Sequence, residues 1–129
     1  MCRSARIAHK TGMTRWLLIL PILLAAAAPA HATGGFNCRT AGPRPVQVDL
    51  GFGHVPGAAL FAQRMTDNGR QVPVTAPQWW FDGTELRLLL ASPDAMRREL
   101  VLRARKNGHV YDGSIWRGGQ RRWVRCRES

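Results

Sequence analysis

The chain has few of the side chains that do most catalysis and most metal binding. It carries four histidines, three cysteines and eight acids in 129 residues. His9 and His31 precede Thr33, so only His54 and His109 fall in the remainder. No C-x-x-C occurs, and no His/Cys spacing or acidic loop matches a zinc or calcium site. No glycine-rich loop opens a helix to cradle phosphate; Gly51-Phe52-Gly53 alone carries no such meaning. Ser114 lacks the G-x-S-x-G setting of a nucleophile elbow. Asp82 and Glu85 bracket a Gly turn, where Asp serves backbone geometry rather than acid–base work. These absences leave an enzyme without residues in named roles, and neither cofactor nor metal is expected. There is no internal repeat and no linker that would divide two domains.

The long hydrophobic run is confined to the N-terminal region. Arg15 precedes an apolar stretch from Trp16 to Ala28, and Ala30-His31-Ala32 supplies the small residues a signal peptidase needs. The run is short of the roughly 20 apolar residues that span a bilayer. Residues 1–32 are therefore expected to be a cleaved signal peptide, with residues 33–129 as one exported domain. Met13-Thr14-Arg15 and the run after it form a complete signal peptide, so Met13 is expected as the true start. No Cys follows the small residues directly, so no lipid anchor is expected, and no integral membrane segment should remain after cleavage. The expected location is periplasmic or secreted.

What is abundant is arginine. Residues 33–129 hold fifteen basic residues against eight acids, a formal +7, and all but Lys106 of the fifteen are Arg. The same segment holds two cysteines, Cys38 and Cys126, which should bridge in an oxidising compartment. By chain entropy such a long loop contributes on the order of 4.5 kcal/mol. The bridge also requires the first and last strands to be neighbours.

Gly and Pro punctuate the chain every eight to twelve residues, which predicts many short strands. Asn107-Gly108, Gly118-Gly119 and Asp82-Gly83 each read as a two-residue hairpin turn. On that reading Ala104 faces Tyr111, Leu102 faces Gly113 and Ile115 faces Arg122. Trp79 faces Leu86, and Trp80 faces Glu85. Leu100, Leu102, Ala104, Tyr111, Ile115, Val124 and Cys126 then share a core face with Leu86, Leu88 and Leu90. Val46, Val48, Leu50 and Phe52 alternate as a further strand, and Ala58 to Met65 as another. Ser92-Pro93-Asp94 predicts one helical turn. About eight antiparallel strands with clasped ends predict an all-β fold, a small up-and-down barrel or a sandwich.

The opposite face follows from the same alternation. It holds Arg103 and Arg105, then Trp116, then Arg121, Trp123, Arg125 and Arg127, with Asp112 expected between Arg103 and Arg125. Guanidinium groups interleaved with indoles suit anionic ligands, since Arg pairs bidentately with carboxylate or phosphate and stacks on rings. The expected function is non-catalytic binding of an anionic polymer or lipid head group of the cell envelope. Nucleic acid is not expected as a partner in that compartment. A second reading is a protein partner. The rhythm Gly108, Tyr111, Trp116 and Gly118 resembles one stretch of the small periplasmic inhibitors of c-type lysozyme, which are compact β-barrels of this size. It covers Gly108 to Gly119 only, and the Ser-Gly that precedes the Tyr in that family is absent here. The resemblance implies an inhibitor of a periplasmic or host hydrolase. Lysozymes of that class are basic, as this domain is, and like charges oppose association.

Overall fold

Alternating apolar and polar residues between tight turns can bury only one side of each strand, so the strands must curl around a shared interior. The computed structural model describes residues 34–53 and 59–129 and has this form. Nine strands run β1 Gly35–Thr40, β2 Val46–Gly51, β3 Ala62–Asp67, β4 Arg70–Val72, β5 Thr75–Phe81, β6 Glu85–Ala91, β7 Arg98–Asn107, β8 Val110–Arg117 and β9 Gln120–Glu128. They form one curled antiparallel sheet in the order β4-β3-β2-β1-β9-β8-β7-β6-β5. This is neither a closed barrel nor a sandwich. The first and last strands pair, as in a barrel, and the opening lies between β4 and β5. Those two edges resist further pairing: β4 is three residues long, and β5 carries Pro77 and a register shift between Thr75 and Gln78.

Cys38 and Cys126 lie directly opposite each other on β1 and β9 and form the disulfide. The bridge closes a sequence separation of 88 residues at the place where the chain ends meet. It is consistent with an oxidising, exported setting. The interior is built from one side of every long strand. Phe36, Val48, Met65, Leu86, Leu90, Leu100, Leu102, Tyr111, Ile115 and Val124 are all buried there. Gly113 faces this interior too, and a Cβ on it would collide with the Arg103 carbonyl oxygen, so no larger residue fits without moving β7.

Turn chemistry decides the register. Gly118 and Gly119 both have positive φ, as a type I′ turn demands, and Ile115 pairs with Arg122 and Tyr111 with Cys126 as expected. The Asn107-Gly108 hairpin differs. Its two central residues are Gly108 and His109, and only Gly108 has positive φ, so Gly opens a type II′-like turn instead of closing a type I′ turn. Asn107 therefore pairs with Val110, Ala104 with Gly113 and Leu102 with Ile115. The Asp82-Gly83 turn is wider than expected. The Asp82 carboxylate accepts hydrogen bonds from the Thr84 and Glu85 amides, so Trp79 pairs with Leu88 and Trp80 with Arg87. Each correction slides both strands by one residue, which changes neighbours but keeps every residue on its face.

Two further expectations change. Residues Ser92 to Arg97 form a turn, not a helical one: Ala95 donates to the Ser92 carbonyl, Ser92 donates to the Arg97 carbonyl, and Ala95 takes a φ of 60°. Among the described residues the third strand starts at Ala62; Phe61 leads into it, donating its amide to the Gly51 carbonyl at 3.1 Å just ahead of the ladder. Asn68 and Gly69, both at positive φ, make a fourth tight turn that joins β3 to β4. The expected leader and its cleavage site, Met13, Cys2, His54 and Ala58 lie outside the described residues. Among the described residues no helix is long and apolar enough to cross a membrane.

Candidate functional site

The seven residues singled out for binding, Arg103, Arg105, Trp116, Arg121, Trp123, Arg125 and Arg127, all lie on the outer side of β7, β8 and β9. That follows from strand alternation, since all but Arg121 sit next to a buried neighbour and Arg121 pairs with outward Trp116. The register sets three rows across the strands. One runs Trp80, Arg87, Arg103, Ser114, Trp123. The next runs Gln78, Leu89, Val101, Trp116, Arg121. The third runs Glu85, Arg105, Asp112, Arg125, Arg39. Asp112 thus lies between Arg105 and Arg125, and Arg103 stands beside Ser114 instead.

Two of the arginines are committed to the surface itself. Arg125 donates from Nε and Nη2 to the two Asp112 oxygens at 2.7 and 3.0 Å, and its guanidinium lies 5.0 Å from the Trp123 ring centre. The Arg125 pairing holds the Asp112 carboxyl below its usual range, against the opposing effect of desolvation. Arg121 donates to the Ser114 hydroxyl at 3.0 Å and lies 5.6 Å from the Trp116 ring centre. Such contacts fix the indoles in place and keep them wet at one edge. Trp123 is 49% exposed and Trp116 38%. The other three, Arg103, Arg105 and Arg127, are exposed, and their side chains donate no hydrogen bond among the described residues. Asp112 and Glu85, the carboxylates flanking Arg105, are outnumbered by the arginines, so this part of the face stays positive.

The face extends beyond the seven. Arg39 on β1 sits beside Arg125, and Arg87 on β6 sits beside Arg103. Trp80, at 56% exposure, ends the first row on β5. Arg87 is bound to Glu85 by Nε and Nη2 at 2.9 and 3.0 Å, a pairing that lowers the Glu85 carboxyl. Asp82 accepts from the Thr84 amide and hydroxyl and from the Glu85 amide, and these bonds hold its carboxyl far below the usual range. Asp82 is thus consumed by the turn. An alternation of Leu89 and Val101 with arginines was visible in the sequence; that they share one row with Trp116 depends on register.

Other candidates separate. His109 lies exposed in the β7–β8 turn, away from Ser114. Tyr111 is buried, at 2% exposure, while Trp116 faces outward, so the Gly, Tyr, Trp, Gly rhythm does not build one shared surface. Among the described residues no three His, Cys, Asp or Glu side chains group to hold a metal ion. No protein-family model, no curated protein and no solved structure matches this chain.

Proposed function

We propose that this is an exported, non-catalytic binding protein whose basic outer face takes an anionic component of the cell envelope. The observation that carries the reading is the division of labour among its arginines. Arg121 and Arg125 hold Trp116 and Trp123 in place, while Arg103, Arg105 and Arg127 are left exposed with their donors free. A guanidinium with free donors is the group that grips carboxylate, sulfate or phosphate in bidentate fashion. The formal charge of +7 over residues 33–129 draws such a ligand in.

The test uses the oxidised protein with heparin, lipopolysaccharide and peptidoglycan, each at low and at physiological salt, and DNA as a polyanion control. The informative variant is Arg103→Gln/Arg105→Gln/Arg127→Gln, because none of these three holds another side chain. Expected is binding that survives physiological salt, weakens as salt rises, and drops at least ten-fold in the variant. Equal binding by the variant would show that the exposed arginines are only solvated surface. Binding of a hydrolase instead, with little salt sensitivity, would favour the inhibitor reading.

A further inference from the structure

On the β5–β7 side of the outer face lies a groove of about 420 Å³. That volume falls within the range of small-ligand sites, roughly 300–1,000 Å³. Leu89 and Val101, adjacent on β6 and β7, form an apolar floor on the side of the sheet that faces water. Trp80 forms one wall. Among the described residues it carries no guanidinium over its ring, unlike Trp116 and Trp123. Arg87, Arg98 and Arg103 also line the groove, and no carboxylate does. Arg87 is already held by Glu85, whereas Arg98 and Arg103 have no partner among the described residues. Gln78 adds an amide that can both donate and accept.

We propose that this groove is the specificity site of the basic face and takes an acidic sugar unit, a pyranose bearing a carboxylate or sulfate. The proposal rests on the binding reading above. A pyranose has an apolar C–H face, which suits the open indole of Trp80 and the Leu89–Val101 floor. Its edge carries hydroxyls for Gln78, and its anionic group finds Arg103 and Arg98. A simple polyanion uses the arginines and leaves the indole and the floor bare. A bilayer surface calls for apolar side chains projecting from loop tips; Met96 projects so, from the Ser92–Arg97 turn, but it does not line this groove, whose Leu89–Val101 floor is only partly exposed.

The experiment titrates the oxidised protein with a uronic-acid tetrasaccharide, its carboxyl-reduced neutral counterpart, polyphosphate, and phosphatidylglycerol vesicles. Indole N–H resonances and calorimetry are the readouts. The tetrasaccharide should bind and shift the Trp80 indole signal most. Trp80→Ala and Arg98→Gln/Arg103→Gln should each weaken it at least ten-fold, Trp80→Phe should restore part of the loss, and the neutral counterpart should not bind. Trp80 is more than half exposed, so its loss leaves the fold intact, which the remaining spectrum verifies. Tetrasaccharide binding unchanged by Trp80→Ala would overturn the groove while leaving the basic-face reading standing. Failure of the tetrasaccharide to bind, with polyphosphate or vesicles binding instead, would overturn the sugar assignment and keep only charge. Failure of every probe would overturn both readings.

Discussion

The two ends of the curled sheet are held together in opposite ways. At one end Phe36, Phe52, Phe81 and Tyr111 pack as rings with centroids 4.9 to 5.7 Å apart. Phe52 also meets Trp79, so this cluster joins the β2 side to β5 across the opening that no backbone pairing closes. At the other end Arg117 reaches from β8 to β3, donating to Asp67 at 2.8 Å and to the Glu99 carboxylate at 2.9 Å. Arg122 closes the same end by donating to the Ala41 and Arg44 carbonyls. The aromatic end works by excluding water and has no salt dependence; the ionic end sits in partial contact with water and does. An open sheet needs cross-mouth ties at both ends, and the chemistry of each tie sets the conditions under which it fails.

Four predictions probe this difference. Phe36 is buried at the centre of the aromatic end, so Phe36→Ala should cost about 3–5 kcal/mol, read as a lower urea midpoint with an unchanged slope. A loss below about 1 kcal/mol would mean the aromatic cluster does not close the sheet. Arg117→Met removes the cross-mouth donor, strands Asp67 and leaves Glu99 to Arg97 alone; the expected cost is about 1–2 kcal/mol, since the site is partly wet. That cost should shrink in high salt, whereas the Phe36→Ala cost should not.

Tyr111→Phe keeps the ring and loses the hydroxyl, which donates to the Gly83 carbonyl at 3.0 Å and to Glu128 at 3.2 Å. About 1 kcal/mol should be lost near neutral pH. The effect should also appear in alkali. Burial, with Glu128 beside it, pushes the phenol above its ordinary value of 10.0. The folded state thus favours the neutral phenol, a contribution complete below pH 10 and lost as pH rises through the raised value. The alkaline decline in stability should therefore be shallower in Tyr111→Phe than in the parent.

The smallest effect lies at the opposite pH. The Arg117 guanidinium holds the Glu99 carboxyl below its ordinary 4.5. Stability from that pairing is complete above pH 4.5 and lost as pH falls through the lowered value. Amide exchange should show acid loosening the ends of β3 and β8 before the aromatic end responds. Simultaneous loosening of both ends would mean they open as one unit.

The faces of the strands were legible without coordinates because alternation in a strand has a period of two, and a hairpin slip of one residue per strand preserves it. The neighbours were less legible. Placing Arg103 beside Ser114 rather than Asp112 required knowing whether Gly108 opens or closes its turn, and placing Trp80 opposite Arg87 rather than Glu85 required knowing that the Asp82 carboxylate would widen the next one. The Asn68-Gly69 turn carried the same dipeptide signal as Asn107-Gly108, yet the three-residue strand it feeds is too short to show alternation. Arg39 joined the candidate face, and Leu89 its row with Trp116, only through pairing partners distant in sequence.

By itself the sequence determined the all-β class, the inward set on β6 to β9, the Cys38–Cys126 bridge, and the outward arginines and tryptophans. These follow from local turn chemistry, strand periodicity and the count of thiols. The tertiary structure alone decided that the sheet stays open between β4 and β5, and that an aromatic tie and an ionic tie close its two ends. It also brought Trp80, Leu89 and Val101 together with Arg98 and Arg103 in one groove. Those outcomes depend on which strands lie side by side and how far each slides along its neighbour. That is set by packing across the whole interior, and no local stretch of the chain encodes it.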